Sequence, residues 1–152
     1  MNDDPVMRKA KISDAPSIQK CVEAAYHHYI VRIGKPPGPM LDDYGQAVQQ
    51  HSVFIAEFEQ IVGVLVLVRT QTGFLLDNVA VHPEQQGKGL GKRLIQFAET
   101  EAQNQGFEKL DLYTHESMVE NIEFYKNLGY TETDRREEHG YNRVYMQKLL
   151  PR

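Results

Sequence analysis

The stretch VHPEQQGKGLGKRL, residues 81–94, follows a run of apolar residues and precedes a helical pattern. Gly87, Gly89 and Gly91 fall close together within it. Glycines between a strand and a helix let backbone N–H groups point at one centre, and a helix N-terminus adds about half a positive charge. The stretch is therefore typical of a phosphate-binding loop, although a loop that only turns the chain would also use glycine.

Two common nucleotide-binding patterns fit this loop poorly. A Walker A loop carries a Ser or Thr after its Gly-Lys pair, whereas Arg93 stands there, and the spacing from Gly87 is one residue short. A dinucleotide fingerprint needs a third glycine where this chain has Lys92 or Leu94. Asp111 lies at a suitable distance to meet a ribose, but it belongs to one isolated strand-helix-strand unit. Dinucleotide binding is the weaker alternative.

Length and composition narrow the classes of protein. The 152 residues are expected to form one domain, residues 1–152, and the net charge of −4 includes no basic stripe for nucleic acid. The longest aliphatic run, Val64–Val68, is far shorter than the roughly 20 residues of a membrane helix, and the acidic N-terminus is unlike a secretory signal. The lone Cys21 fits a reducing compartment. We expect a cytoplasmic protein with no nucleic-acid or membrane partner.

Hydrophobic periodicity predicts alternating strands and helices. The run VMRKAKI, residues 6–12, is typical of a strand, and Asp14 is a candidate N-cap for a helix that ends near Gly34. A short second helix covers residues 41–50. Three β-rich runs follow, SVFIAEF, IVGVLVLVRT and GFLLDNVAV, with only a few polar residues between them. Connections this short favour an antiparallel meander.

The segments after the glycine loop complete the predicted fold. Helical spacing of apolar residues continues until Gly106, a candidate C-terminal stop. KLDLYTH, residues 109–115, predicts a strand, and Ser117 with Glu120 forms a capping-box pattern that would open another helix. Residues 131–150 predict a closing hairpin. The predicted fold class is α+β, with a central mixed, mostly antiparallel sheet of about seven strands flanked by about four helices.

Two motifs carry a resemblance to a known family. Gln86-Gly87-Lys88-Gly89-Leu90-Gly91 resembles the Q/R-x-x-G-x-G/A motif of the GCN5-related N-acetyltransferases, the GNAT superfamily, and LDNVAVHPEQ matches the strand before it. NIEFYKNLGY, residues 121–130, is similar to a later helix of that family. The predicted order of elements also matches, so the resemblance extends over nearly the whole chain.

The resemblance implies the GNAT fold, with acetyl-CoA as cosubstrate, no metal, and a splayed parallel strand pair at the cofactor site. The pantetheine arm would meet backbone groups of the strand before the loop, an N–H near Val79 would meet the developing oxyanion, and Asn121 would contact the arm. Backbone amides of the loop would receive the pyrophosphate, with Lys88, Lys92 and Arg93 as supplementary charges. The implied cofactor-binding residues are Val79, Ala80, Val81, Gln86, Gly87, Lys88, Gly89, Leu90, Gly91, Lys92, Asn121 and Tyr125.

The resemblance also implies an N-acetyltransferase in which a neutral primary amine attacks the thioester directly. Tyr125 occupies the position of the tyrosine that protonates the leaving thiolate, and Asp77 is the candidate base. The base remains open between Asp77, His115, Glu116 and ordered water. A core tyrosine and a carboxylate satisfied at a β-bulge are the purely structural alternatives. A catalytically silent CoA-binding or sensor module is the alternative function.

In the family that the sequence resembles, the first helices and the last hairpin line the side of the active site that binds the acceptor amine. Its main candidates are Tyr26, Tyr29, Tyr113 and His115. The wider set comprises His27, His28, Arg32, Asp42, Asp43, Tyr44, Glu116 and Arg135. Adjacent His27 and His28 diverge by about 100° on a helix and lack the spacing of a zinc pair. The acceptor is expected to be a small-molecule or peptide amine, and a homodimer is compatible with the sequence.

Overall fold

A computed structural model describes residues 4–151, which form a seven-stranded sheet in the order β1-β2-β3-β4-β5-β7-β6. Within these residues β4 and β5 are the one parallel pair, and the other neighbours are antiparallel. The strands are β1 (Val6–Lys9), β2 (Ser52–Glu57), β3 (Ile61–Arg69), β4 (Phe74–Val81), β5 (Lys109–His115), β6 (Thr131–Glu138) and β7 (Tyr141–Leu149). The predicted mixed, mostly antiparallel sheet is confirmed.

Five α-helices lie in the described part of the chain, one more than the sequence predicts. They are α1 (Ala15–Tyr26), α2 (Tyr29–Ile33), α3 (Tyr44–Gln50), α4 (Leu90–Asn104) and α5 (Val119–Asn127). The extra helix arises because the first predicted helix breaks at His27 and His28, although its end at Gly34 is as predicted. None of the helices described is long and apolar enough to cross a membrane.

The sheet separates two apolar clusters. Leu65 and Leu67 of β3 pack in the cluster that contains residues of α4 and α5, whereas Val64 and Val66 pack in the cluster that contains residues of α1. Because β3 is buried on both faces, its sequence is a continuous apolar run rather than an alternating one. At its centre, the sheet is therefore covered by helices on both faces.

A β-bulge in β4 interrupts this regular alternation. Val66 pairs with Asn78 and Leu67 pairs with Leu76, so Asp77 is the extra residue on β4. Leu76 and Val79 both pack in the α4 and α5 cluster. The two polar residues between them, Asp77 and Asn78, are thereby aimed together at the other layer, since a bulge re-aims the side chains around it.

The parallel pair β4 and β5 separates soon after it begins. Leu75 pairs with Asp111 and Leu76 pairs with Leu112, and the two strands do not pair beyond these residues. The edge of β4 that faces β5 is therefore open from Asp77 to Val81. This is the splayed strand pair that the resemblance implies.

The capping box predicted for α5 is wrong. The helix begins at Val119 without a side-chain cap. The backbone N–H of Ser117 donates instead to Nδ1 of His115, at 3.0 Å. The carboxylate of Glu120 accepts hydrogen bonds from Tyr29 and Arg32, which belong to α2. Long-range contacts between α2 and α5 thus replace the local cap.

Candidate active site

The open edge of β4 lies in a groove of about 550 Å³ that also reaches the glycine loop, α1, α2 and α5. Its lining residues are Ala25, Tyr26, His28, Tyr29, Val79, Ala80, Val81, Gln85, Gln86, Gly87, Gly89, Leu90, Gly91, Lys92, Glu120, Asn121, Phe124 and Tyr125. All the predicted cofactor-binding residues except Lys88, which is exposed, therefore line one groove. The folding of distant segments brings them together.

The glycine loop has a backbone that only glycine adopts easily. Gly87 has φ 78° and Gly89 has φ 86°, and a Cβ on either residue would meet no atom within 4 Å. The first amides of α4 begin at Leu90, and Lys92 lines the groove beside them. Arg93 instead forms an ion pair with Asp4. The loop therefore offers free space and backbone donors to a phosphate group.

A second cavity, of about 50 Å³, lies at the other side of the splayed strands, and we name it the acceptor pocket. Four residues line both this pocket and the groove: Tyr26, Val79, Asn121 and Tyr125. The rest of the pocket is lined by Ile33, Pro37, Gly38, Pro39, Leu76, Asp77, Asn78, Tyr113, Thr114, His115, Met118, Tyr141 and Arg143. Two ligands could thus meet at the gap between β4 and β5.

Tyr125 stands at this junction with a free hydroxyl. The residue is 5% exposed, and its hydroxyl has no hydrogen-bond partner among residues 4–151. Every fully buried side-chain nitrogen or oxygen in that part of the chain has a partner, so the Tyr125 hydroxyl must reach the open space. Burial, and to a smaller extent Tyr29, raises the pKa of Tyr125 well above its ordinary value. The hydroxyl is therefore a proton donor at neutral pH.

Asp77 carries a carboxylate into the acceptor pocket. Its Oδ1 accepts a hydrogen bond from the Tyr113 hydroxyl at 2.9 Å, and Oδ2 has no partner among the described residues. Burial raises the pKa of Tyr113, and the charge of Asp77 raises it further, so Tyr113 remains a donor. The bulge and this hydrogen bond together fix the carboxylate while leaving one oxygen for a ligand.

Comparison with known proteins identifies the family. Residues 49–132, more than half of the chain, match the family described as acetyltransferase (GNAT) domain. The chain belongs to the GNAT family. The enzyme class that the sequence predicts, an acyltransferase, is confirmed.

Relatives of this GNAT chain extend beyond the matched segment. It is 29% identical, over 86% of this chain and 84% of the relative, to the uncharacterized N-acetyltransferase YjgM of Escherichia coli. The E. coli ribosomal-protein-S18-alanine N-acetyltransferase superposes with TM-score 0.78 at 17% identity, covering 97% and 94% of the two chains. The PaiA N-acetyltransferase of Thermoplasma acidophilum, solved with coenzyme A, gives 0.78 at 17% identity, covering 95% and 98%. The two structures confirm the GNAT fold.

A buried polar network supports the junction of this GNAT site. It joins two acceptor-side candidates, Tyr26 and Tyr44, to Asn78, which sequence reasoning missed. The Tyr26 hydroxyl lies 2.7 Å from Oδ1 of Asn78 and 2.8 Å from the carbonyl oxygen of Val79. Nδ2 of Asn78 donates to the Tyr44 hydroxyl at 3.0 Å, which in turn donates to the carbonyl of Pro39. This buried network links α1, β4 and α3, so it holds the bulge in place.

The two other main acceptor-side candidates differ in position. His115 lines the acceptor pocket, and burial lowers its pKa, so the neutral ring is favoured. Because Nδ1 accepts the Ser117 N–H, the proton of the neutral ring is on Nε2. Tyr29 lines the groove rather than the pocket and donates to Glu120 at 3.0 Å, and burial together with Glu120 raises its pKa to about 12.

Several of the wider candidates have other contacts. Asp43 caps α3 by accepting from the N–H of Gln46, and exposed Glu116 accepts from Asn142. Arg135 lies on the edge strand β6 and pairs with Glu132. Among residues 4–151, no three His, Cys, Asp or Glu side chains are grouped so as to hold a metal ion.

Proposed function

We propose that this GNAT protein transfers an acetyl group from acetyl-CoA to a primary amine by direct attack of the amine on the thioester. The observation that carries the proposal is the meeting of the groove and the acceptor pocket at Tyr125. Bound acetyl-CoA would supply an activated acetyl group at that junction. An amine in the acceptor pocket would then face the acetyl group without crossing the sheet.

The groove fits acetyl-CoA in its chemistry. The free amides of the loop and the N-terminus of α4 suit the pyrophosphate, and the open directions at Gly87 and Gly89 leave it room. The unpaired edge of β4 suits the two amides of the pantetheine arm. The Tyr26 hydroxyl lies within hydrogen-bond distance of the Val79 carbonyl, and Nε2 of Gln86 donates to the Val81 carbonyl, so side chains and not β5 contact the backbone along this edge.

The roles that we assign follow from the positions of the side chains. Tyr125 protonates the leaving thiolate, since its hydroxyl lies at the junction, has no other partner among the described residues and still carries its proton at neutral pH. Asp77 removes the proton of the amine through its open Oδ2. An N–H of the open edge near Val79 stabilises the charge on the thioester oxygen. His115 is less suited to be the base because its Nδ1 already accepts a hydrogen bond.

A Gly89→Val substitution is expected to weaken acetyl-CoA binding at least tenfold, about 1.4 kcal/mol. The added side chain fills the open space of the loop, and φ 86° strains a β-branched residue there. Calorimetric titration with acetyl-CoA measures the loss of affinity.

Gly106 provides the matched control at the other end of the same helix. Its φ is 89°, and a Cβ there would also meet no atom within 4 Å. Gly106→Val should therefore impose a similar backbone strain, read as a lower Tm, while acetyl-CoA binds as in the wild type. Normal binding by Gly89→Val would show that the phosphate does not lie in this loop.

The activity itself is tested by incubating the protein with acetyl-CoA and a broad panel of small-molecule and peptide amines, with released thiol as the readout. We expect thiol release that depends on the amine. Acetyl-CoA binding without thiol release from any amine would instead indicate a silent sensor. Parallel titrations with NAD and ATP, for which we expect no binding, exclude the dinucleotide alternative.

A further inference from the structure

Two opposite charges line the acceptor pocket without pairing with each other. Asp77 comes from the bulge in β4, and Arg143 comes from β7. Neither forms an ion pair with any residue in the described range 4–151. Arg143 is partly buried, and an arginine removed from water is stabilised most by an oxyanion that accepts two of its N–H groups.

The side chain of Tyr113 lies between Asp77 and Arg143 and contacts both. Its hydroxyl donates to Oδ1 of Asp77, and the guanidinium carbon of Arg143 lies 4.2 Å from the centroid of its ring. The guanidinium also hydrogen-bonds the side chain of Tyr145, and the stacking leaves its remaining N–H groups available to a ligand. Gly38 lines the same pocket, and a Cβ there would come 4.0 Å from Nη2 of Arg143. The pocket thus has an acidic end and a basic end, one aromatic ring apart.

We infer that the acceptor is a small zwitterion, an amino acid whose amine meets Asp77 and whose carboxylate is bound by Arg143. The inference rests on the proposed acetyl transfer and names its substrate class. A simple alkylamine would give Arg143 no direct anionic partner, since the charge of Glu138 acts on the guanidinium without forming an ion pair. A polyamine would gain from Asp77 and from nearby Asp42, but its second cation would face Arg143. The small volume of the pocket, about 50 Å³, favours a compact molecule.

The test compares each amino acid with its own carboxamide, which keeps the amine and removes the negative charge. Glycine, L-alanine, β-alanine and L-phenylalanine, each with its amide, are assayed by thiol release from acetyl-CoA. For at least one pair the wild type should show a kcat/KM at least tenfold higher for the acid. Because the amine of an amide is less basic and is more often neutral, this preference cannot come from amine reactivity.

Arg143→Gln should abolish the preference by raising KM for the amino acid, with kcat and the activity towards the amide little changed. Arg143→Lys, which keeps the charge but loses the two-pronged contact, should retain part of the preference. Arg136→Gln is the control, since Arg136 also stacks on a tyrosine, Tyr145 at 4.0 Å, but lies outside the pocket and is exposed. It should behave as the wild type.

The outcomes separate this inference from the proposed function. Equal turnover of acids and amides by the wild type, or an equal loss for both in Arg143→Gln, overturns the zwitterionic acceptor and leaves acetyl transfer standing. Absence of thiol release with every amine of the broad panel, while acetyl-CoA still binds, overturns acetyl transfer and the zwitterionic acceptor with it.

Discussion

Tyr125→Phe is expected to lower kcat about 100-fold, within the usual range for loss of a general acid, with little change in the affinity for acetyl-CoA. The substitution keeps the ring, which is buried and packs 6.0 Å from the ring of Tyr130 between centroids. It removes a hydroxyl that has no partner among the described residues, so the free energy of unfolding should hardly change. Steady-state thiol release, calorimetric titration and thermal unfolding give the three measurements.

Tyr130→Phe is the control with the opposite expected pattern. The Tyr130 ring is buried beside Tyr125, but its hydroxyl donates to Glu99 at 2.8 Å and does not line either cavity. Losing that hydrogen bond should cost about 1 kcal/mol of stability without reducing kcat. If Tyr125→Phe turns over normally on a substrate that the wild type accepts, the thiolate takes its proton from water or from another group.

Much of the fold could be predicted because local patterns coincide with tertiary packing. The apolar run of β3 and the short connections beside it specify a meander, and Gly34 and Gly106 stop helices where left-handed backbone is required. The break between α1 and α2 could not be predicted, since neither Gly nor Pro marks it. The capping box predicted for α5 does not form because Tyr29 and Arg32, which are distant in sequence, bind the carboxylate of Glu120.

The residues of the candidate site also divide into those that the sequence could predict and those that it could not. The loop and Tyr125 lie in sequence motifs, so their positions followed from the resemblance to GNAT proteins. Asn78 and Arg143 gave no comparable signal, because their roles depend on strand register and on partners from other elements. One signal was present in β7, where Tyr141, Arg143 and Tyr145 alternate and therefore share a face. An arginine between two tyrosines on one strand face is a reasonable candidate for anion binding.

Asp77→Asn is expected to lower kcat about 100-fold near neutral pH and to recover part of the lost rate as the pH rises. An alkylammonium has a pKa near 10.4, so without a base the enzyme depends on amine that is already neutral in solution. The asparagine carbonyl can still accept the Tyr113 hydrogen bond, which leaves the bulge supported. Burial keeps the pKa of Tyr125 above its ordinary value, so the acid stays protonated while the pH is raised. The measurement is kcat from pH 7 to about pH 10 with one amine.

Asp42→Asn separates a base from a general effect of negative charge. Asp42 adjoins Asp77 in a neighbouring cavity but does not line the acceptor pocket, so its removal should change kcat little and leave the shape of the pH profile unchanged. Only Asp77→Asn should gain rate at high pH relative to the wild type. A constant fractional loss for Asp77→Asn across the whole pH range would make Asp77 a positioning residue. In that case the proton would pass to solvent, because Nδ1 of His115 is occupied and Glu116 is exposed outside the pocket.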